Sequence, residues 1–217
     1  MQLYYITDRS AFPGDEMARR RRLLDKIIEA ARAGVDYIQI REKDLTAAEL
    51  EALGREAMCA VRQANPETRL LLNSRMDVAL AIEADGIHLR GDDLSPAEVA
   101  AIRSGAERNG NRMPAPFLTA VSCHSTDDVS RAELGGASFA VLAPVFGKQT
   151  SSPVEAIGLE SLKAACRGKL PVLALGGVTL KNAEACLEAG AIGIAAIRLF
   201  QNHSVEEVVG LLRSLSK

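Results

Sequence analysis

PVLALGGVTLKNAEACLEAGAIGIAAIRLF, Pro171 to Phe200, is the stretch whose reading decides the fold. An apolar run from Pro171 to Leu175 stops at the pair Gly176-Gly177, a helical segment is expected from Leu180 to Ala189, and a second apolar run covers Ala191 to Ile197. Two strands joined through a helix run parallel, because parallel pairing requires a crossover. Glycines at the end of the first strand let backbone N–H groups approach a ligand closely. In a closed β/α barrel these strands would be the seventh and eighth, whose following loops commonly hold phosphate. The plainer alternative is a pair of turn glycines with no ligand.

Outward from this unit, strand-like runs recur at Leu3–Thr7, Tyr37–Arg41, Leu70–Asn73, Gly86–Leu89, Phe117–Ser122, Phe139–Ala143, Pro171–Leu175 and Gly193–Ile197. Helix candidates lie between them. Leu23, Leu24, Ile27, Ile28 and Ala31 share one face at helical spacing, as do Leu50, Leu53, Ala57 and Val61. Thr46, Ser95-Pro96 and Ser125 or Thr126 precede such segments as N-caps. The phrases AGVDYIQI, ADGIHL, GGASFAVLA and AGAIGIAAI share one form, a glycine-containing turn followed by a strand. The expectation is α/β, a single (β/α)8 TIM barrel occupying 1–217. A doubly wound open sheet is the rival, but the chain has no GxGxxG fingerprint. Two irregular stretches remain: a polar linker, Ser104 to Pro116, and a loop, Gly147 to Ile157, which is either a lid on the mouth or a plain surface loop.

Composition narrows the function. The 217 residues are 47% hydrophobic, enough for one large core, and the net charge of −2 argues against a sequence-independent nucleic-acid binder. The basic cluster Arg19–Arg22 reads as a solvated helix face. No apolar run reaches the ~20 residues of a membrane span, and strand-like LYYIT at Leu3 stands where a signal peptide would be. Cys59, Cys123, Cys166 and Cys186 lack CxxC spacing and read as reduced, mostly buried thiols of a cytoplasmic protein. The partners expected are small molecules, with no nucleic acid and no membrane. Apolar outer helices would also allow a homodimer.

The carboxyl ends of barrel strands point into the site, so polar residues there need a reason. Gln39, Arg41 and Lys43 alternate with Ile40 and Glu42 and would face one side, forming an anion site. The alternative is that the cations pair with carboxylates at the mouth. After strand three, Arg75 and Asp77 read as a structural pair beyond Asn73 and Ser74. Strand four gives His88, then Arg90, Gly91, Asp92 and Asp93. Adjacent carboxylates suit either magnesium or a helix N-terminus. His124, after Ser122 and Cys123, is the best general acid/base candidate. Ser122 has no evident base and acid for hydrolase chemistry, and His203 falls in the tail.

In register, YYITD, IQIREK, NSRMDVAL, ADGIHL, VSCHS, APVF, LALGGV and AGAIGIAAI cover nearly the whole chain. Together they resemble the thiamin phosphate synthase/thiazole tautomerase superfamily. The resemblance implies a barrel that binds a phosphorylated thiazole. One branch joins hydroxymethylpyrimidine pyrophosphate to thiazole phosphate and expels magnesium pyrophosphate. The other moves a proton to aromatise a thiazole carboxylate phosphate. Gln39, Arg41, Lys43, Asn73, Asp93, Ser122 and Thr150 match the synthase pattern. Ser74 stands where it has Asp, Arg90-Gly91 where it has Gly-Gln, and Lys148, Gln149, Thr150 and Ser151 where it has Thr-x-Thr-Lys. These losses fall on the metal-pyrophosphate end.

A tautomerase-like enzyme is therefore the first expectation, synthase the alternative, and a non-catalytic phosphate-ligand binder a third. In the first reading His124 transfers the proton. Arg41 and Lys43 hold the carboxylate or other anionic end. Backbone groups of Gly176, Gly177 and Ala196, Ile197 and Arg198 hold the phosphate. Ser122 joins His124 and Arg41 as a catalytic residue, and Gln39, Asn73, Lys148 and Thr150 complete the substrate site, with no cofactor. Asp93 would hold magnesium in the synthase reading.

Overall fold

The computed structural model describes residues 1–108, 116–147 and 155–215. Eight parallel strands close into a barrel in sequence order, β8 returning to β1. The strands are β1 Gln2–Ile6, β2 Tyr37–Ile40, β3 Arg69–Asn73, β4 Gly86–Leu89, β5 Leu118–Cys123, β6 Phe139–Leu142, β7 Val172–Ala174 and β8 Gly193–Ala196. The connecting helices are α1 Glu16–Arg32, α2 Ala47–Ala64, α3 Met76–Ala81, α4 Pro96–Arg108, α5 Thr126–Leu134, α6 Gly158–Ala165 and α7 Ala183–Glu188. Short α8, Arg198–Gln201, and α9, Val205–Ser214, follow β8. Every expected strand is present, with ends within about two residues of the apolar runs.

Two apolar layers follow from strand alternation. Tyr4, Ile6, Leu71, Ala120, Phe139, Val141, Leu173 and Ala195 fill the barrel. There Phe139 stacks on Tyr37 at 4.9 Å and meets Tyr4 edge-on. The opposite faces, with Leu3, Ile38, Leu72 and Val172, pack against helix residues such as Leu23, Ile27, Leu53 and Leu162. The α2 face of Leu50, Leu53, Ala57 and Val61 is buried as its spacing implies. Thr46 and Glu49 form a reciprocal capping box, Ser95 and Glu98 exchange the same bonds, and Ser125 caps α5.

The recurrent phrases have a physical meaning. In three of the four, the residue just before an even strand clamps the N–H of the odd strand beside it. Leu3 N–H donates to Asp36 Oδ2 (2.7 Å), Leu70 N–H to Asp85 Oδ2 (2.8 Å), and Thr119 N–H to Ser138 Oγ (3.0 Å). Arg213 and Arg62 neutralise the two carboxylates, at 2.7 and 2.6 Å. In the fourth phrase Ile192 holds this place, and Gln2 N–H reaches its backbone carbonyl instead.

Some expectations fail locally. The linker expected from Ser104 is helical as far as Arg108, since α4 runs through Gly105; 109–115 lie outside the described residues. The helix expected from Leu180 begins at Ala183. Asn182 folds back to accept from Thr179 N–H and donate to the Gly177 carbonyl, which holds the preceding turn non-helical. Cys123 and Cys186 are buried and Cys166 is half-buried, but Cys59 is exposed on the outer face of α2. Burial pushes the Cys123 thiol up to about 12 and those of Cys166 and Cys186 to about 11, so these three are protonated at neutral pH. Arg20 pairs with Glu56, and Arg21 and Arg22 are exposed, in keeping with a solvated basic face.

Asp85→Ala strands the Leu70 N–H and leaves Arg62 with only the Thr68 carbonyl. It should cost about 3 kcal/mol in urea unfolding, against about 1 kcal/mol for Ser138→Ala. Equal losses would show that the clamp's charge contributes nothing.

Candidate active site

Alternation along β1, β2, β4 and β5 turns Tyr4, Gln39, His88 and Ser122 into the barrel, where they form one hydrogen-bond chain. Gln39 Nε2 donates to Tyr4 Oη (3.0 Å), which lies 2.9 Å from His88 Nδ1; His88 Nε2 lies 2.8 Å from Ser122 Oγ. Since Tyr4 already accepts from Gln39, its own proton finds an acceptor only at Nδ1. The full set of bonds therefore places the imidazole proton on Nε2, donating to Ser122. Ser122 keeps its hydroxyl proton for a group in the mouth. Burial drives His88 down to about 3, and the Arg41 charge pushes the same way, opposed by Asp93. His88 is thus a neutral strut. Burial likewise keeps Tyr4 un-ionised.

At the strand ends above this chain, one set of residues is braced and another is open. Glu42 is buried and accepts from Thr7 Oγ1 (2.5 Å), Arg9 N–H (3.1 Å) and the Arg9 guanidinium (3.2 Å). Arg9 continues to Asp44 and Glu16, and Thr7 Oγ1 also accepts from Arg41 N–H (3.0 Å). This network fixes the backbone from which Arg41 and Lys43 project. The Lys43 ammonium is held below its usual range, first by the Arg41 charge, then by burial and by the Arg90 charge. Three cations thus share one rim.

Beside them, Asn73 Nδ2 donates to Ser74 Oγ (3.0 Å), and Ser74 Oγ donates to Asp93 Oδ2 (2.7 Å). Ser74 adopts a left-handed backbone, φ 62°. Asp93 Oδ2 also accepts from Arg90 N–H (2.6 Å), and its Oδ1 lies 3.5 Å from the Arg90 guanidinium. Arg75 is bidentate to Asp77, the expected structural pair. A cavity of about 190 Å³ opens here at the ends of β2 and β3, lined by Glu42, Lys43, Asn73, Ser74, Arg75 and Arg90 and, on its α2 side, by Ile40, Leu45 and Leu50. A larger depression of about 690 Å³ lies outside the barrel, between α1 and α9. It touches no strand end, so the small mouth cavity is the one relevant to chemistry.

On the opposite side of the mouth, the β6 and β7 loops lie against each other. Val145 N–H donates to the Leu175 carbonyl (2.9 Å) and Phe146 N–H to that of Gly176 (3.0 Å). Gly176 and Gly177 have φ of 92° and 67°, and added Cβ atoms would stand 2.6 Å from Pro144 Cα and 2.7 Å from Phe146 Cβ. Close loop packing therefore requires both glycines, whatever else they bind. His124 is exposed; its Nδ1 lies 2.7 Å from the Ala143 carbonyl, so in the neutral ring Nδ1 is the donor and Nε2 the acceptor. Ile197 is half-buried beside the barrel core, and Arg198 is exposed at the start of α8. Gln39 is more deeply placed than expected of a substrate ligand, with its amide nitrogen engaged by Tyr4. Lys148, Thr150 and Ser151 lie outside the described residues, as does most of the loop considered as a lid. His203 is exposed in the tail, as expected.

Tyr4 and His88 were not singled out for roles by the sequence, although the alternation that marked Gln39 marks them too. Magnesium fits these residues poorly. It requires hard oxygen ligands, yet both Asp93 oxygens already face donors and one faces a cation. Among the described residues no group of three or more His, Cys, Asp or Glu side chains could hold a metal.

Comparison with known proteins fits this geometry. The family model described as thiamine monophosphate synthase matches residues 3–200. A putative thiamine-phosphate synthase 2 of Aquifex aeolicus is 35% identical over 92% of this chain and 97% of its own length. A thiamine-phosphate synthase of Syntrophomonas wolfei is 33% identical over 98% of this chain and 93% of its own. Among solved structures, thiamine phosphate pyrophosphorylase from Pyrococcus furiosus superposes with a TM-score of 0.78 at 28% identity, covering 99% of this chain and 94% of that one.

Because His88 titrates near 6.5 when unfolded and near 3 when folded, the unfolded chain binds the extra proton between those values. Stability is unaffected by this group above pH 6.5 and falls as pH drops below it, by about 2 kcal/mol at pH 5. His88→Gln should remove that part of the loss in urea titrations at pH 7 and 5. An unchanged pH slope would show that His88 is not held neutral.

Proposed function

The chain belongs to the thiamine monophosphate synthase family, and from that membership and the mouth's charge we propose that it is a thiamin phosphate synthase, a transferase joining hydroxymethylpyrimidine pyrophosphate to thiazole phosphate. The observation that carries this reading is the cationic rim: Lys43 and Arg90 line one cavity, and the charges of Arg41 and Arg90 both act on Lys43. A diphosphate leaving group accumulates negative charge as its bond to carbon breaks, and fixed cations stabilise that charge more than they stabilise the intact substrate. The tautomerase reaction needs an anion grip and a base, but no concentration of cations around a departing diphosphate. The relatives above carry synthase names, which supports the transferase over the tautomerase.

In this reading the pyrimidine methylene carbon loses its bond to the diphosphate oxygen, which leaves with the electron pair. The thiazole ring nitrogen supplies the pair for the new carbon–nitrogen bond. Arg41 and Lys43 hold the diphosphate, Asn73 orients its oxygens, and Ser122 offers its hydroxyl proton above the neutral Gln39–Tyr4–His88 chain. Backbone N–H groups around Gly177 and Ile197–Arg198 hold the thiazole phosphate. Magnesium supplies charge neutralisation to a departing diphosphate where a site holds it; the poor fit above leaves that work here to side chains. His124 Nε2 is the feature favouring the tautomerase, as an available base at the mouth.

Incubation with both half-molecules, with and without magnesium, should yield thiamin phosphate and pyrophosphate. The carboxylated thiazole phosphate alone should remain unchanged. Arg41→Ala should lower kcat/KM about a hundredfold. Isomerisation of the carboxylated thiazole without condensation would replace the reading with the tautomerase, and binding without either product would leave a non-catalytic barrel.

A further inference from the structure

The rim between β3 and β4 presents cations where a resident divalent metal would need carboxylate. Arg90, Lys43 and Arg75 line the cavity together with one carboxylate, Glu42, whereas Asp93 does not; its oxygens are turned onto Ser74 Oγ and the Arg90 backbone and guanidinium. The other charged groups here are accounted for. Glu42 is taken up by Arg9, Arg75 by Asp77, and Asp92 meets Arg90 from the exposed side at 3.1 Å. Arg90 is about 44% exposed, with its guanidinium against two carboxylates on its own loop. Asp93 is only 13% exposed, too enclosed for an ion to enter without breaking the Ser74 and Arg90 bonds. Ser74 Oγ and the Arg90 N–H both donate to Asp93 Oδ2, and Oδ1 faces the Arg90 guanidinium at 3.5 Å, so a metal ion reaching Asp93 would have to displace a cation.

We propose that Arg90, with Lys43 and Arg41, binds the substrate's diphosphate end directly, and that Asp93 orients Arg90 instead of holding magnesium, so that this site takes a diphosphate without a divalent cation. The guanidinium fork matches phosphate oxygens bidentately and is less strongly hydrated than an ammonium, which suits it to a partly enclosed anion. Crowding of Lys43 by Arg41 and Arg90 is relieved when a diphosphate enters among them. Ser74 belongs to the same arrangement, since a second carboxylate at that position would meet the negative charge of Asp93. The inference rests on the synthase reading for the identity of the diphosphate-bearing substrate, but the binding chemistry can be tested without turnover.

The probe is inorganic pyrophosphate, titrated calorimetrically into the full chain in EDTA and again in excess magnesium. Magnesium should strengthen binding by less than about tenfold; a gain of about tenfold or more overturns the proposal. In EDTA, Arg90→Ala should weaken binding at least about tenfold and Arg90→Lys by less; Arg90→Ala binding like the parent overturns it. Asp93→Asn should weaken binding by a similar factor in both buffers, while a loss confined to magnesium would make Asp93 a metal ligand and overturn it. Matching far-UV circular dichroism melts would establish that these variants are folded. Pyrophosphate bound in EDTA by a protein that makes no thiamin phosphate would sink the synthase reading alone. Condensation that proceeds while pyrophosphate binds only with magnesium would sink this proposal alone.

Discussion

A polar group inside a barrel must find its partner inside the barrel, and this constraint governs the mouth. Tyr4 and His88 occupy a layer otherwise built from Leu71, Phe139, Val141 and Leu173. An unsatisfied hydroxyl or imidazole in that layer would cost about 1–3 kcal/mol. Gln39 and Ser122 complete the chain, so the layer is both apolar in its packing and fully bonded through its polar atoms. The chain runs across the barrel from β2 to β5, and its last member is the one with a hydroxyl proton to spare. Being uncharged, it leaves the positive potential of Arg41 and its neighbours uncancelled from below.

Electrostatics and backbone placement converge at the same rim. Buried Glu42 binds Thr7 and Arg9, and Thr7 holds the Arg41 N–H, so one carboxylate aligns the ends of β1 and β2. Neighbouring residues along β2 thus divide the work. Glu42 faces the packing and is neutralised, whereas Arg41 and Lys43 remain available to an anion. Across the mouth, the β6 and β7 loops use backbone contact in place of charge, which is why glycine recurs there. The two sides of the mouth are therefore built differently, one from charged side chains and one from backbone contact.

Most of the architecture was readable because each parallel strand is buried on both faces and appears as an uninterrupted apolar run. Helix starts were readable because Thr46, Ser95 and Ser125 act locally. Contacts that depend on barrel closure were not. Tyr4 and His88 are 84 residues apart in sequence, and nothing in either neighbourhood names the other. The loss of an acidic residue at Ser74 was plain from its phrase, but its bond to Asp93 needed the folded loops. The exposure of Cys59, by contrast, follows from the spacing, since it stands two residues from Ala57 and Val61 and so opposite their apolar face. Proton transfer and condensation are hardest to separate from sequence, because Ser74 reads as a missing carboxylate while the place of Arg90 in the cavity shows only in the folded loops.

The lower rim divides the barrel unevenly. Side-chain clamps tie β1 to the entry of β2, β3 to that of β4, and β5 to that of β6, but Ile192 leaves the last pair with backbone bonds alone. β7 is also just three residues long and shares two register pairs with β8. Native-state amide exchange would therefore find its lowest opening energy at this seam, with the three clamped pairs behaving as tighter cooperative units. The seam carries the glycine loop and Arg198 at its upper end, so the barrel breathes most easily on the side of the mouth where backbone contact, not charge, holds the loops together.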